Sequence, residues 1–231
     1  MGKLDPNWPV FVIVGVLVGE KYYQRTLVPR IKDFKKRHDI PLKASLHSKD
    51  IRRCENDFQF LMDPAKKSRF YAEWNELFLS LRIRIYAVVV DKRRLRERFL
   101  VPLNPYDVSL SQLLSIICGA GGPMRKPEIT QIIAESRGRV EDKELQAEYQ
   151  SYRRYGLFNY GSEGVSNREA STVNRVFPGR VDFLRKAAVV AGLELADLAA
   201  YPIGRAVVNN DSSNPALAVV KSKLRGLVLS P

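Results

Sequence analysis

The hydrophobic pattern alternates between the periods of strands and helices. Val10 to Val18, VFVIVGVLV, is a nearly continuous β-branched run, as expected of a strand covered on both faces. From Tyr22 to His38 the spacing becomes helical. Tyr23, Leu27, Ile31 and Phe34 share one face, Lys32, Lys35, Lys36 and Arg37 form a basic end, and Pro29 starts a new helix or kinks the first. A loop from Leu46 to Arg53 follows. Asp63-Pro64 then reads as an N-cap with proline in the first turn, opening a main core helix along Phe70, Trp74, Leu77, Phe78 and Leu81. Arg82 to Val90 begins as an alternating strand, turns fully apolar, and finishes at Asp91-Lys92.

The second half continues the alternation. Asn104-Pro105 opens a helix with Tyr106, Leu110, Leu113, Leu114 and Ile117 inward, and GAGGPMRKP, Gly119 to Pro127, breaks it as a flexible connection. A β-branched run ends on Glu135, a charged helix covers Val140 to Arg154, and the Gly, Ser and Asn-rich stretch Gly156 to Glu169 is expected to be a mobile lid or disordered. After a short strand at Val181 to Phe183, Leu193, Ala196, Ala200 and Ile203 recur at helical spacing, with Glu194 and Asp197 on the neighbouring face. Asn214-Pro215 starts a terminal helix with Ala216, Val219, Val220 and Leu224 inside. Strands interleaved with amphipathic helices indicate an α/β layered fold, and no repeat or linker divides residues 1–231, so a single domain is expected.

Charge narrows the partners. Thirty-eight Lys and Arg against 25 Asp and Glu give +13, which favours an acidic partner such as nucleic acid or an anionic membrane surface without fixing which. The basic side chains concentrate at Lys92, Arg93, Arg94, Arg96 and Arg98, where clustered cations gain affinity by releasing phosphate counterions; a solvated basic face is the competing reading. Cys54 and Cys118 lack the paired spacing of a zinc or redox motif, and no apolar run is long enough to span a bilayer. A cytoplasmic protein with no membrane partner is expected.

The candidate chemistry is acidic. Glu135 stands at a strand's C-terminal end, with Glu141 and Asp142 just beyond it, and Glu194 and Asp197 lie three apart on a helix. Carboxylates so placed can converge on hard cations that bind oxygen and exchange water for phosphate. Asp91 ends another strand, and His47 could position a water or a phosphate. Against this, Glu135 can pair with Arg137 or Arg139, Glu194 and Asp197 can be solvated helix charges, and His47 can pack locally.

Four strings occur in one order at spacings that resemble a known family: LHSKDIRR at Leu46 to Arg53, the DK at Asp91-Lys92, AESRGRVED, and GLELADLAAYPIGR. The family is the uncharacterised bacterial domain-of-unknown-function family 3800, and the match runs from about Pro9 to Leu227. It implies a ribonuclease-H-like mixed sheet flanked by helices, and a magnesium- or manganese-dependent nuclease or phosphodiesterase. Glu135 and Asp197 would hold metal, with Asp142, Glu194 or Asp91 giving further oxygen contacts, His47 assisting, and Arg137 and Lys92 holding the phosphate.

One departure bears on activity. Members of that family open with a strand ending in Asp-Glu-Ser-Gly, and this chain has none, Met1 falling about where that motif would finish. The first strand is therefore expected to be missing, through the coding start or naturally. Its absence would remove a central metal ligand and leave a strand edge open to homodimerisation. The alternative function is a non-catalytic nucleic-acid-binding or partner-binding module of a mobile-element or phage-related system.

Overall fold

The computed structural model describes residues 5–99, 103–119, 129, 131–160, 162, 165–211 and 213–231. Val10–Leu17 (β1) pairs antiparallel with Arg84–Asp91 (β2), Val10 opposite Asp91, and Leu224–Ser230 (β5) adds in parallel on the far side of β2. Ile132–Glu135 (β3) and Val181–Leu184 (β4) form a separate parallel pair. The architecture is mixed α/β, with a small mixed sheet between helices. Where one mixed sheet was expected, the described strands form two.

Because strand side chains alternate between faces, β2 supplies two cores. Ile85, Ala87 and Val89 face Leu27, Phe34, Phe70 and Leu195, whereas Tyr86, Val88 and Val90 face Val108, Leu114, Tyr149 and Phe177. The first face is covered by Glu20–Tyr22 (α1), Val28–Arg37 (α2), Ser48–Arg53 (α3), Pro64–Ser80 (α4), Ala191–Asn209 (α9) and Pro215–Lys221 (α10). The second is covered by Lys92–Arg98 (α5), Pro105–Gly119 (α6), Arg139–Tyr155 (α7), Ala170–Val176 (α8) and the small sheet. β1 shares both cores, with Val12, Val14 and Val16 on one side and Phe11, Ile13 and Leu17 on the other. Unlike β2, it stays half-buried from Phe11 onward, because among the described residues only one of its edges is paired.

Local signals explain several boundaries. Pro29 lacks an N–H, and the chain meets it with a π-helical turn at Tyr23–Leu27 before α2 begins, so the proline sits at the start of a new helix. Asp63 caps α4 by accepting from the Ala65 and Lys66 N–H groups, and Phe70, Trp74, Leu77 and Phe78 are buried as the stripe requires. His47, expected in a loop, is the N-cap residue of the short helix α3.

Two further expectations are corrected. The buried face of α9 is Ala191, Glu194, Leu195, Ala199, Pro202 and Ile203, rotated from the expected Leu193, Ala196, Ala200 and Ile203, so that Glu194 points inward. Gly204 permits this: an added Cβ would stand 2.8 Å from Trp8 and 2.9 Å from Val12 of the neighbouring strand. The terminal helix stops at Lys221, and Leu224 instead opens β5, where strand alternation overrides the helical spacing.

In the stretch expected to be a mobile lid or disordered, the described residues Phe158, Ser162 and Ser166 bond to buried polar groups of α6. Ser111 Oγ donates to Phe158 O, Ser115 Oγ to Ser166 O, and Gln112 Nε2 to Ser162 Oγ. Asn159 adds bonds to Ser162 and Val165 carbonyls. The glycine-rich connection, apart from Gly119, lies outside the described residues.

Candidate functional site

Helix α9 carries two carboxylates one turn apart, and both grip the same short segment. Leu46 N–H donates to Glu194 Oε1 at 2.8 Å and Ser48 N–H to Asp197 Oδ2 at 2.6 Å. The residue between them, His47, is thereby held over the helix. Its Nδ1 lies 3.7 Å from Asp50 Oδ1 and its Nε2 4.0 Å from Asp197 Oδ1. The three side chains form a partly open His-Asp-Asp row in which one Asp197 oxygen is already committed to backbone.

Beneath this row sits a buried ion pair. Lys35 Nζ lies 2.6 Å from Glu194 Oε1 and donates to Ala44 O at 2.8 Å, while Glu194 Oε2 is buried without a hydrogen-bond partner among the described residues. Burial also raises the pKa of the nearby Tyr23 phenol, and the Glu194 charge adds to that shift. One turn beyond Asp197, Tyr201 lies 3.4 Å beneath the Arg52 guanidinium, stacks parallel to Trp8 with ring centroids 5.5 Å apart, and accepts from Arg205 at 3.3 Å. Asp197, Tyr201 and Arg205 thus share one helical face.

The other sequence-singled acids lie in different surroundings. Asp91 caps α5, accepting from the Arg93 and Arg94 N–H groups and lying 3.5 Å from the Arg93 guanidinium. These contacts outweigh its burial and hold the carboxyl below the usual range. Asp142 closes the turn from β3 into α7, where Ser136 Oγ donates to it at 2.6 Å and Arg137 N–H at 3.0 Å. Gly138 makes that turn possible with φ +133°; an added Cβ would meet Glu141 Oε2 at 2.8 Å. Arg137 lies 4.7 Å over the Tyr106 ring, and the Glu135 carboxylate is exposed with no ion-pair partner among the described residues.

Glu135, Asp197, Glu194 and Asp91 therefore do not fit a single magnesium or manganese centre. Glu194 neutralises Lys35, Asp91 caps a helix, Asp197 spends one oxygen on Ser48, and among the described residues no group of three His, Cys, Asp or Glu side chains could hold a metal ion. No reaction step through a metal follows from these residues.

The basic groups are freer than the acids. On α5, Lys92 and Arg96 form no ion pair among the described residues, whereas Arg93 and Arg94 approach Asp91. A second basic surface, not anticipated from sequence, is concave. An open groove of about 860 Å³ runs between one face of α7, with Arg139, Asp142, Lys143, Gln146 and Gln150, and the strand β4 flanked by Arg180 and Arg185. These cations are dispersed in sequence, so no run of Lys or Arg announces them. Among the described residues, no helix is long and apolar enough to cross a membrane. No family model, curated protein or solved structure matches the chain.

Proposed function

We propose that this protein binds nucleic acid and does so without cutting it through a bound metal. The observation that carries the reading is the contrast between its charges. Three of the four acids singled out for metal bond to the protein itself, while Lys92, Arg96, Arg139, Lys143 and Arg185 are left without carboxylate partners among the described residues of a chain with net charge +13. Unpaired cations on a surface gain free energy from phosphates by releasing counterions. The test is incubation of labelled single- and double-stranded oligonucleotides with manganese or with EDTA. Binding equal in both, without shortened products, is the expected result; manganese-dependent products lost in Glu135→Gln would overturn it.

A second reading, metal-dependent phosphodiester hydrolysis on a ribonuclease-H-like fold, draws on the row His47, Asp50 and Asp197, on Glu135, which has no ion-pair partner among the described residues, and on the family resemblance. It requires a further ligand that the described residues do not bring to the row.

A second copy of the chain is the partner proposed for β1. The strand is an edge whose apolar residues stay half-buried, and edges of this kind pair with other strands. Sedimentation that shows a monomer at every concentration would remove this partner. A cytoplasmic setting completes the proposal.

A further inference from the structure

The groove beside α7 has the chemistry of a track for a polyanionic strand. On its helical wall, Arg139 and Lys143 lie four apart and so share one face, with Gln146 and Gln150 continuing along it. On the opposite wall, Arg180 and Arg185 bracket β4, about 16 Å apart at the rise of an extended strand. Two acids also line the groove, Asp142 on α7 and Asp182 on β4, and both are occupied. Asp142 accepts from Ser136 and Arg137, and Asp182 accepts from Gln131 at 3.1 Å and lies 3.4 Å from Arg180. Arg139, Lys143 and Arg185 are consequently unneutralised among the described residues.

The groove does not end at Gln150. That residue also lines a second hollow, of about 650 Å³, formed with Ser151, Arg153, Arg154, Tyr155 and Asn174. Arg153 is committed there, donating to Asn174 and to Gly179 O. Tyr155 is 65% exposed, a large ring left in solvent, and the Arg154 guanidinium lies 5.8 Å from its centroid. The whole path follows α7, whose 17 residues span about 25 Å.

We infer that this path takes one single strand of nucleic acid, its phosphates on Arg139, Lys143, Arg180 and Arg185 and a base stacked on Tyr155. A cationic groove with an exposed aromatic at its end is the combination that binds unpaired strands, because every base presents a π-face once it leaves a duplex. A duplex would use the cations but leave Tyr155 unused. On helix α5, which carries the denser run of arginines, Arg93 and Arg94 approach Asp91. The inference rests on the nucleic-acid-binding reading and gives it a location.

Fluorescence anisotropy of the full chain with a labelled mixed-sequence 12-mer, single-stranded and as a duplex, tests both. For the wild type, single-strand binding at least tenfold tighter than duplex binding is expected. The combined Arg139→Gln, Lys143→Gln and Arg185→Gln variant, which breaks no ion pair, should lose about tenfold or more in affinity and lower the salt slope by about 2. Tyr155→Ala, at an exposed position, should lose roughly tenfold for the single strand alone. Lys67→Gln, at an exposed position of α4 outside both basic surfaces, should change either by less than twofold. Binding that survives the groove variants but falls in Arg96→Gln would overturn the groove and keep the nucleic-acid reading; absence of wild-type binding to either oligonucleotide would overturn both. Equal wild-type affinity for strand and duplex, or a Tyr155→Ala variant unchanged for the single strand, would overturn the assignment to a single strand. Circular-dichroism melting of each variant separates loss of contact from loss of fold.

Discussion

Lys35 and Glu194 meet inside the protein at 2.6 Å, with side chains 2% and 1% exposed, joining α2 to the first turn of α9. Removing one partner strands the other charge in the core, which typically costs about 3–5 kcal/mol, whereas replacing both is far less costly. Lys35→Met should therefore lower unfolding stability by about that amount. Lys35→Met combined with Glu194→Gln, which keeps an oxygen for the Leu46 N–H, should recover most of it. Urea denaturation of the two variants measures the difference.

Asp197 serves the fold through its acceptor rather than its charge. Its Oδ2 takes the Ser48 N–H at 2.6 Å. Asp197→Asn retains an acceptor and should stay within about 0.5 kcal/mol of wild type, while Asp197→Ala should cost about 1–2 kcal/mol by leaving that donor unsatisfied. Matched losses in both variants, read by thermal unfolding, would mean that the charge itself matters.

Asp107, in the first turn of α6, has its carboxyl pushed up to about 6, chiefly by burial and further by Glu148 and Glu144. Between about pH 4 and 6 the folded protein holds this proton while the unfolded chain, at an ordinary carboxylate value, has released it. The group therefore favours folding below about pH 4, and that advantage disappears as pH rises to about 6. Asp107→Asn should accordingly raise stability at pH 7.5, by on the order of 1 kcal/mol after screening at this half-buried position, with the gain vanishing near pH 4. Denaturation midpoints of variant and wild type across that range check the sign.

Most elements were legible because their signals are local. The strand ending at Asp91, the Asp63-Pro64 cap and the stripe of α4 depend on neighbours in sequence, and they appear as expected. Lys35 was legible in principle: with Ile31, Phe34 and His38 it completes a buried helical face, but its place in a basic run disguised it. Glu194 was misplaced because the depth of a helical face is set by what packs on it, here Trp8 and Val12 against Gly204, more than a hundred residues away in sequence. The tail carries a helical pattern because Leu224 continues the spacing of Val220, while its true partner, Ile85, is distant in sequence. The groove leaves no local signal for a similar reason, since Arg139, Lys143, Arg180 and Arg185 become neighbours only when α7 packs beside β4.

The central claim is that unpaired cations bind nucleic acid, and its most direct test is the affinity of the wild-type chain for a single-stranded oligonucleotide between 50 and 200 mM salt, with EDTA present throughout. Contact with about four phosphates predicts a log–log slope near −3, a loss of about fiftyfold across that range, with no change when manganese replaces EDTA. Affinity that is flat with salt, or that appears only with manganese, would contradict it.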